Sequence, residues 1–192
     1  MPDSDVPRDG LTYADYAALP DDGKRYQLLE GELVEMPSPT SWHQVVSGEL
    51  YSALRAHVLE HRLGRVLYAP LDVVLEDRTV VRPDVIFVSN ERMGILRRRN
   101  VEGAPDLCVE IPSPGTERVD RVRKLGLYAR HGVPHYWIVD LEARSIEEYV
   151  LAGETYRVRS VAAADHDFAP SALPGFLFRL ASVDLPQDSG AP

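Results

Sequence analysis

Two short apolar runs, each carrying a single carboxylate, most constrain what this chain can become. The first is Arg82-Pro83-Asp84-Val85-Ile86-Phe87-Val88 and the second is Pro105-Asp106-Leu107-Cys108-Val109-Glu110-Ile111. Their length and their β-branched and aromatic content predict buried strands. Asp84 stands at the head of one run and Glu110 near the tail of the other. A carboxylate among dry residues is costly unless a cation or hydrogen-bond donors satisfy it. The segment from about Glu117 to His131 then carries Val119, Val122, Leu125 and Ala129 at helical spacing, with Gly132 as its stop. Asp120, Lys124 and Tyr128 fall four apart and so share one side of that helix. Two strand carboxylates beside a helix lysine point to a divalent-cation site with a fixed positive charge next to it. On spacing alone, an exposed Asp120–Lys124 pair worth about 0.2–0.5 kcal/mol also explains the lysine.

The remaining chain reads as support for that cluster. Thr12-x-x-Asp15 is a capping box opening a short helix through Leu19. Tyr26 to Met36 predicts a hairpin turning at Glu30-Gly31, with Glu32 just past the turn, either plain surface or an accessory carboxylate. Ser41-x-x-Gln44 is a second capping box, and Val46, Leu50, Leu54 and Val58 give the following helix one apolar face, with Gly64 as its stop. His43 lies in the first turn of this helix. Strands are expected at 66–69, 71–76 and 80–88, the last with Pro83 at its beginning or at a bulge. Another is expected at Tyr136–Val139, then a hairpin from Ile146 to Val161 turning at Ala152-Gly153-Glu154, then a closing segment from Phe168 to Val183. The strand–helix–strand passage from Leu107 to Val139 implies a parallel crossover, while the hairpins imply antiparallel pairs. The fold class is therefore mixed α/β. One domain is expected over 11–185, with flexible ends at 1–10 and 186–192.

Of the 192 residues, 44% are hydrophobic and 27% charged, the balance of an ordinary globular chain with enough length for a substantial core. No apolar run approaches the roughly 18 residues that a membrane helix needs. The opening Met1-Pro-Asp-Ser-Asp-Val has neither a basic region nor an apolar stretch, so no signal peptide and a cytoplasmic location are expected. The single cysteine, Cys108, reads as a small buried hydrophobe. A net charge of −9 argues against non-specific coating of nucleic acid. Yet residues 92–130 hold nine Lys or Arg against five Asp or Glu. Such a basic zone suits a phosphodiester substrate, and a solvated loop beside a salt-bridged helix would produce the same charge count.

Taken in order, Tyr26-Gln-Leu-Leu-Glu-Gly-Glu-Leu33, Ser38-Pro-Thr-Ser-Trp-His43, Ala69-Pro-Leu-Asp72, Arg82-Pro-Asp84, Gly103 to Pro114, Asp120 to Tyr128 and Tyr136-Trp-Ile-Val-Asp140 span nearly the whole chain. This ordered set resembles the Uma-two family of restriction-endonuclease-like proteins, within the PD-(D/E)XK nuclease superfamily. The resemblance implies a restriction-endonuclease-like core, a central mixed sheet flanked by helices with added β-hairpins. It also implies a metal-dependent endonuclease acting on DNA. Asp84 and Glu110 would hold Mg²⁺ or Mn²⁺ with the carbonyl of Ile111, and Asp84, Glu110, Lys124 and His43 would be the catalytic set. Pro112 occupies the position two after Glu110 where the family pattern has its lysine, so Lys124 would substitute from the helix. Glu32, Asp120 and Tyr128 would be accessory, and Arg97, Arg98, Arg99 and Arg121 would contact DNA. The competing reading is a catalytically degenerate nuclease fold used for binding or dimerisation, and a homodimer is left open.

Overall fold

The computed structural model describes residues 10–113 and 115–185. Of the ends expected to be flexible, residues 1–9 and 186–192 lie outside the described residues. Helix α1 (Tyr13–Ala17) opens with the expected reciprocal cap between Thr12 and Asp15. Strands β1 (Arg25–Leu29) and β2 (Glu32–Met36) form the first hairpin, with Leu29 opposite Glu32. Glu30 and Gly31 between them both take positive φ, 54° and 85°, the conformation a two-residue hairpin turn with right-handed twist requires.

Helix α2 (Ser41–Glu60) buries Val46, Leu50, Leu54 and Val58. Each such side chain contributes roughly 1.5–3 kcal/mol by leaving water. The cap is one residue earlier than the expected Ser41: Thr40, extended at ψ 165°, accepts the His43 N–H on its side chain. The stop also differs, because Arg62 takes the left-handed conformation (φ 54°) two residues before Gly64. Gly64 has another reason to be glycine. It begins β3 (Gly64–Tyr68) where an added Cβ would lie 2.1 Å from the Val88 carbonyl oxygen.

The strand expected over 80–88 is two strands in two sheets. Strand β5 (Thr79–Val81) joins a five-stranded sheet in the order β2-β1-β5-β4-β7, where β4 is Asp72–Glu76 and β7 is Asn100–Glu102. Strand β6 (Val85–Ser89) joins a six-stranded sheet in the order β11-β10-β9-β8-β6-β3. In that sheet β8 is Leu107–Glu110, β9 His135–Asp140, β10 Ser145–Ala152 and β11 Thr155–Ala163. Pro83 cannot donate to a ladder, so the chain leaves one sheet and enters the other at Arg82-Pro83-Asp84. Strands β8 and β9 pair in parallel across a helical crossover, as expected. The mixed α/β class holds, but the strands sort into two sheets instead of one central sheet.

Alternation along the six-stranded sheet builds two cores. Val85, Phe87, Leu107, Val109, Trp137 and Val139 meet α2 and the closing segment, including Phe168, Phe176 and Phe178. Ile86, Val88, Cys108, Tyr136 and Ile138 face the opposite way, toward the crossover helix and the five-stranded sheet through Leu29, Val73, Val81 and Val101. One polar group also points into the first core. Glu148 on β10 is fully buried and accepts hydrogen bonds from the Ser171 and Ala172 N–H groups and the Ser171 hydroxyl. Burial opposes its ionisation, but His135, Ser171 and Ala172 outweigh it and pull the carboxyl down to about 2. Among the described residues no helix is long and apolar enough to cross a membrane.

Candidate active site

Asp84 sits at the sheet-to-sheet crossing with both its backbone and its side chain held. Its N–H donates to the Val109 carbonyl at 3.0 Å, and its carbonyl accepts from Ala69 N–H at 3.0 Å. The Ile111 N–H donates to Asp84 Oδ2 at 2.8 Å. Val85 pairs with Val109, Ile86 with Cys108 and Phe87 with Leu107. Asp84 lies just before this ladder begins and Glu110 is the last residue of β8, so both carboxylates line one cavity and the Asp84 charge is felt at Glu110.

Glu110 is on the sheet face that meets the crossover helix, where residues 119–124 are π-helical and continue into α3 (Leu125–Arg130). Of the expected apolar stripe, Val119 and Leu125 pack against the second core and Ala129 is buried, but Val122 is 66% exposed, whereas Asp120 and Lys124 are 3% and 2% exposed. An exposed i, i+4 pair is thereby excluded for Lys124. Its Nζ lies 2.8 Å from Glu110 Oε1 and 2.9 Å from Asp120 Oδ1. The Tyr128 hydroxyl donates to the same Glu110 oxygen at 2.7 Å, and the Tyr136 hydroxyl donates to the Asp120 carbonyl at 3.1 Å. The polar stripe is dry because these partners replace water at each charge.

Burial raises the Glu110 carboxyl to about 8, with Asp120 and Asp84 adding to the rise and Lys124 opposing it. Burial alone would lower the Lys124 ammonium, but Glu110 and Asp120 outweigh it and raise it. Asp84, Glu110 and Asp120 against Lys124 leave two surplus negative charges when all four are ionised.

A cavity of about 210 Å³ opens over this group, lined among others by His43, Asp84, Glu110, Ile111, Asp120 and Lys124. That is room for several waters. The Thr40 cap fixes the first turn of α2, from which His43 Nε2 reaches Asp84 Oδ1 at 3.1 Å. His43 Nδ1 is buried without a hydrogen-bond partner among the described residues. Tyr128 does not line the cavity; it braces Glu110 from beneath.

Other expected contributors are elsewhere. Glu32 is drawn to the outer side of the helix, where its carboxylate pairs with Arg123 at 2.7 Å. Arg121 is clamped by Glu117, Asp140 and Glu147 and does not reach the cavity. Arg97, Arg98 and Arg99 are exposed away from the cavity lining, and Arg97 pairs with Glu102 at 2.8 Å. Conversely, Gln27, Ser113 and Thr116 line the cavity although the sequence did not single them out. Gln27 occupies a strand position whose burial depends on the second sheet, and Ser113 and Thr116 sit in a loop with no local pattern to mark them.

The donor set suits a hard divalent cation. One Glu110 oxygen carries both the Lys124 and the Tyr128 contacts, while the other has no hydrogen-bond partner among the described residues and belongs to a cavity-lining side chain. Among the described residues, Asp84 Oδ1 has only His43 as a partner. No group of three or more His, Cys, Asp or Glu suited to a metal occurs among the described residues. A cation here would therefore rest on the carboxylate pair, neutral oxygens and water, a coordination habit typical of Mg²⁺.

A family model named Uma2, described as "Putative restriction endonuclease", matches residues 13–181. The crystal structure titled as a putative nuclease belonging to DUF820 from Anabaena variabilis ATCC 29413 has the same fold, with a TM-score of 0.74 and 19% identity. The match covers 90% of this chain and 97% of that one. No curated protein matches the chain.

Proposed function

The chain belongs to the Uma2 family, described as putative restriction endonucleases, and from that premise we propose that it is a divalent-metal-dependent endonuclease hydrolysing DNA phosphodiester bonds. The observation that carries this reading is the dry Lys124 ammonium, shared between Glu110 and Asp120 at the wall of the cavity that Asp84 also lines. A buried lysine next to two strand carboxylates fits charge stabilisation at a phosphate far better than it fits surface architecture.

Asp84 and Glu110 would hold the cation, with the Ile111 carbonyl as a further oxygen. Bound there, Mg²⁺ or Mn²⁺ would lower the pKa of a coordinated water and polarise the scissile phosphate. Lys124 meets the charge that develops on the non-bridging phosphate oxygens, and Asp120 keeps its ammonium aimed at the cavity. Tyr128 donates to Glu110 and fixes which carboxylate oxygen faces the cavity. His43 donates from Nε2 to Asp84 and restrains that carboxylate in the same way.

The test is cleavage of supercoiled DNA by purified parent and Lys124→Ala proteins with Mg²⁺ or Mn²⁺, together with their metal affinities. The variant is expected to lose cleavage by about 100-fold or more while binding metal within a few-fold of the parent. Undiminished cleavage by Lys124→Ala would sink the role assigned to the lysine. A parent that binds no Mn²⁺ and cuts nothing is the degenerate scaffold instead.

A further inference from the structure

Strand β1 belongs to the five-stranded sheet, and its two faces separate cleanly. Leu28 packs with Leu11, Tyr16 and Val80, while Leu29 packs toward the six-stranded sheet. Gln27 shares the Leu29 face by strand alternation and lines the cavity together with Asp84 and Glu110. It is 3% exposed, and its Oε1 is buried with no hydrogen-bond partner among the described residues.

A buried carboxamide oxygen with no donor is uncommon, because the unmade bond carries the cost of desolvation. Apolar side chains are the economical choice at such a position, as the fully buried Leu29 two residues on illustrates. Gln27 therefore points to a ligand that completes it. The carboxylates of Asp84 and Glu110 line the same cavity, so the ligand expected beside them is a cation, and a carboxamide oxygen is a hard neutral donor of the kind Mg²⁺ and Mn²⁺ accept. A half-turn of the terminal amide exchanges oxygen and nitrogen without breaking any bond to a described residue, so the oxygen can be presented to the cavity.

We propose that Gln27 supplies a further protein oxygen to the cation held by Asp84 and Glu110, so that the site draws ligands from both sheets. This rests on the cation site proposed above. The neutral donor adds coordination without adding charge.

The experiment titrates Mn²⁺ into the full chain by electron paramagnetic resonance, with parent, Gln27→Met, Gln27→Glu and Asp84→Asn proteins, alongside metal-free melting curves. Gln27→Met keeps the length and apolar fit of the side chain. It should weaken Mn²⁺ binding by about tenfold or more and melt higher than the parent without metal. Gln27→Glu should tighten binding, because a carboxylate replaces a neutral oxygen at the cation. Unchanged or weaker Mn²⁺ binding by Gln27→Glu overturns the inference whatever Gln27→Met does. If that occurs while Asp84→Asn loses binding, the cation site stands without Gln27. If Asp84→Asn binds as the parent does, or the parent binds no Mn²⁺, the cation site and this inference fall together.

Discussion

Glu110 sits in an environment far from that of a free side chain. Its carboxyl is raised from 4.5 to about 8 by burial first and by Asp120 and Asp84 second. In the metal-free protein the folded state therefore holds this proton more tightly than the unfolded chain does. The stability gained from it is complete below about 4.5 and is lost as pH rises through about 8. Urea unfolding in chelator across this range should show parent stability falling with pH, and Glu110→Gln should flatten that fall. A parent slope that survives in Glu110→Gln would place the titration elsewhere. Asp84 and Glu110 stood out in the sequence because charges beside dry strands are conspicuous, whereas Lys124 entered the candidate set through the family resemblance. Gln27 and Glu148 did not stand out, since a polar residue alternating with apolar ones in a strand looks solvent-facing until another layer covers it. The depth of Lys124 was hidden for a related reason. A lysine four residues after an aspartate has the same spacing on a surface as in a core, and only Glu110, reaching over from β8, separates the two.

At the scale of elements, the apolar periodicity of α2, the first hairpin turn and the parallel crossover were all readable, because each depends on near neighbours. The division of residues 79–89 between two sheets was not, because a proline in an apolar run marks an interruption without saying where the chain goes next. The closing segment shows how a non-local contact decides an element's fate. Residues 168–183 contain one short 3₁₀ turn, Leu180–Ser182, and an isolated Phe168–Phe178 bridge. They are held by aromatic packing against Trp137 and by the buried Glu148 carboxylate. Glu148→Ala should cost about 1–3 kcal/mol, because it takes the shared acceptor from the Ser171 and Ala172 N–H groups and the Ser171 hydroxyl and leaves a hole at a fully buried position. Limited proteolysis should then cut first within this segment. Cleavage at the ends alone, with unchanged stability, would show that the aromatic side chains hold the segment without help from Glu148.

Across the whole molecule, charge is segregated. A net charge of −9 coexists with an exposed arginine run at residues 97–99. Arg97 is occupied by Glu102, while Arg98 and Arg99 have no ion pair among the described residues. On the proposed function, Arg98→Ala with Arg99→Ala should weaken DNA binding and shallow the slope of log affinity against log salt by up to about 1.8, near 0.9 for each lost phosphate contact. Arg97→Ala should do less. An unaltered slope in the double variant would mean that DNA does not cross this loop.

The crossing at Arg82-Pro83-Asp84 has a consequence for the order in which chemistry becomes available during folding. Asp84 reaches its place only when β5 is committed to one sheet and β6 to the other, Glu110 only when β8 has joined β6, and Lys124 only when the crossover helix has closed over them. His43 and Gln27 arrive from elements far upstream in the chain. No contiguous fragment shorter than residues 27–124 contains them all. On the proposed function, a nascent or misfolded copy is chemically silent, and the hazard of an activity against DNA is confined to molecules that have finished folding.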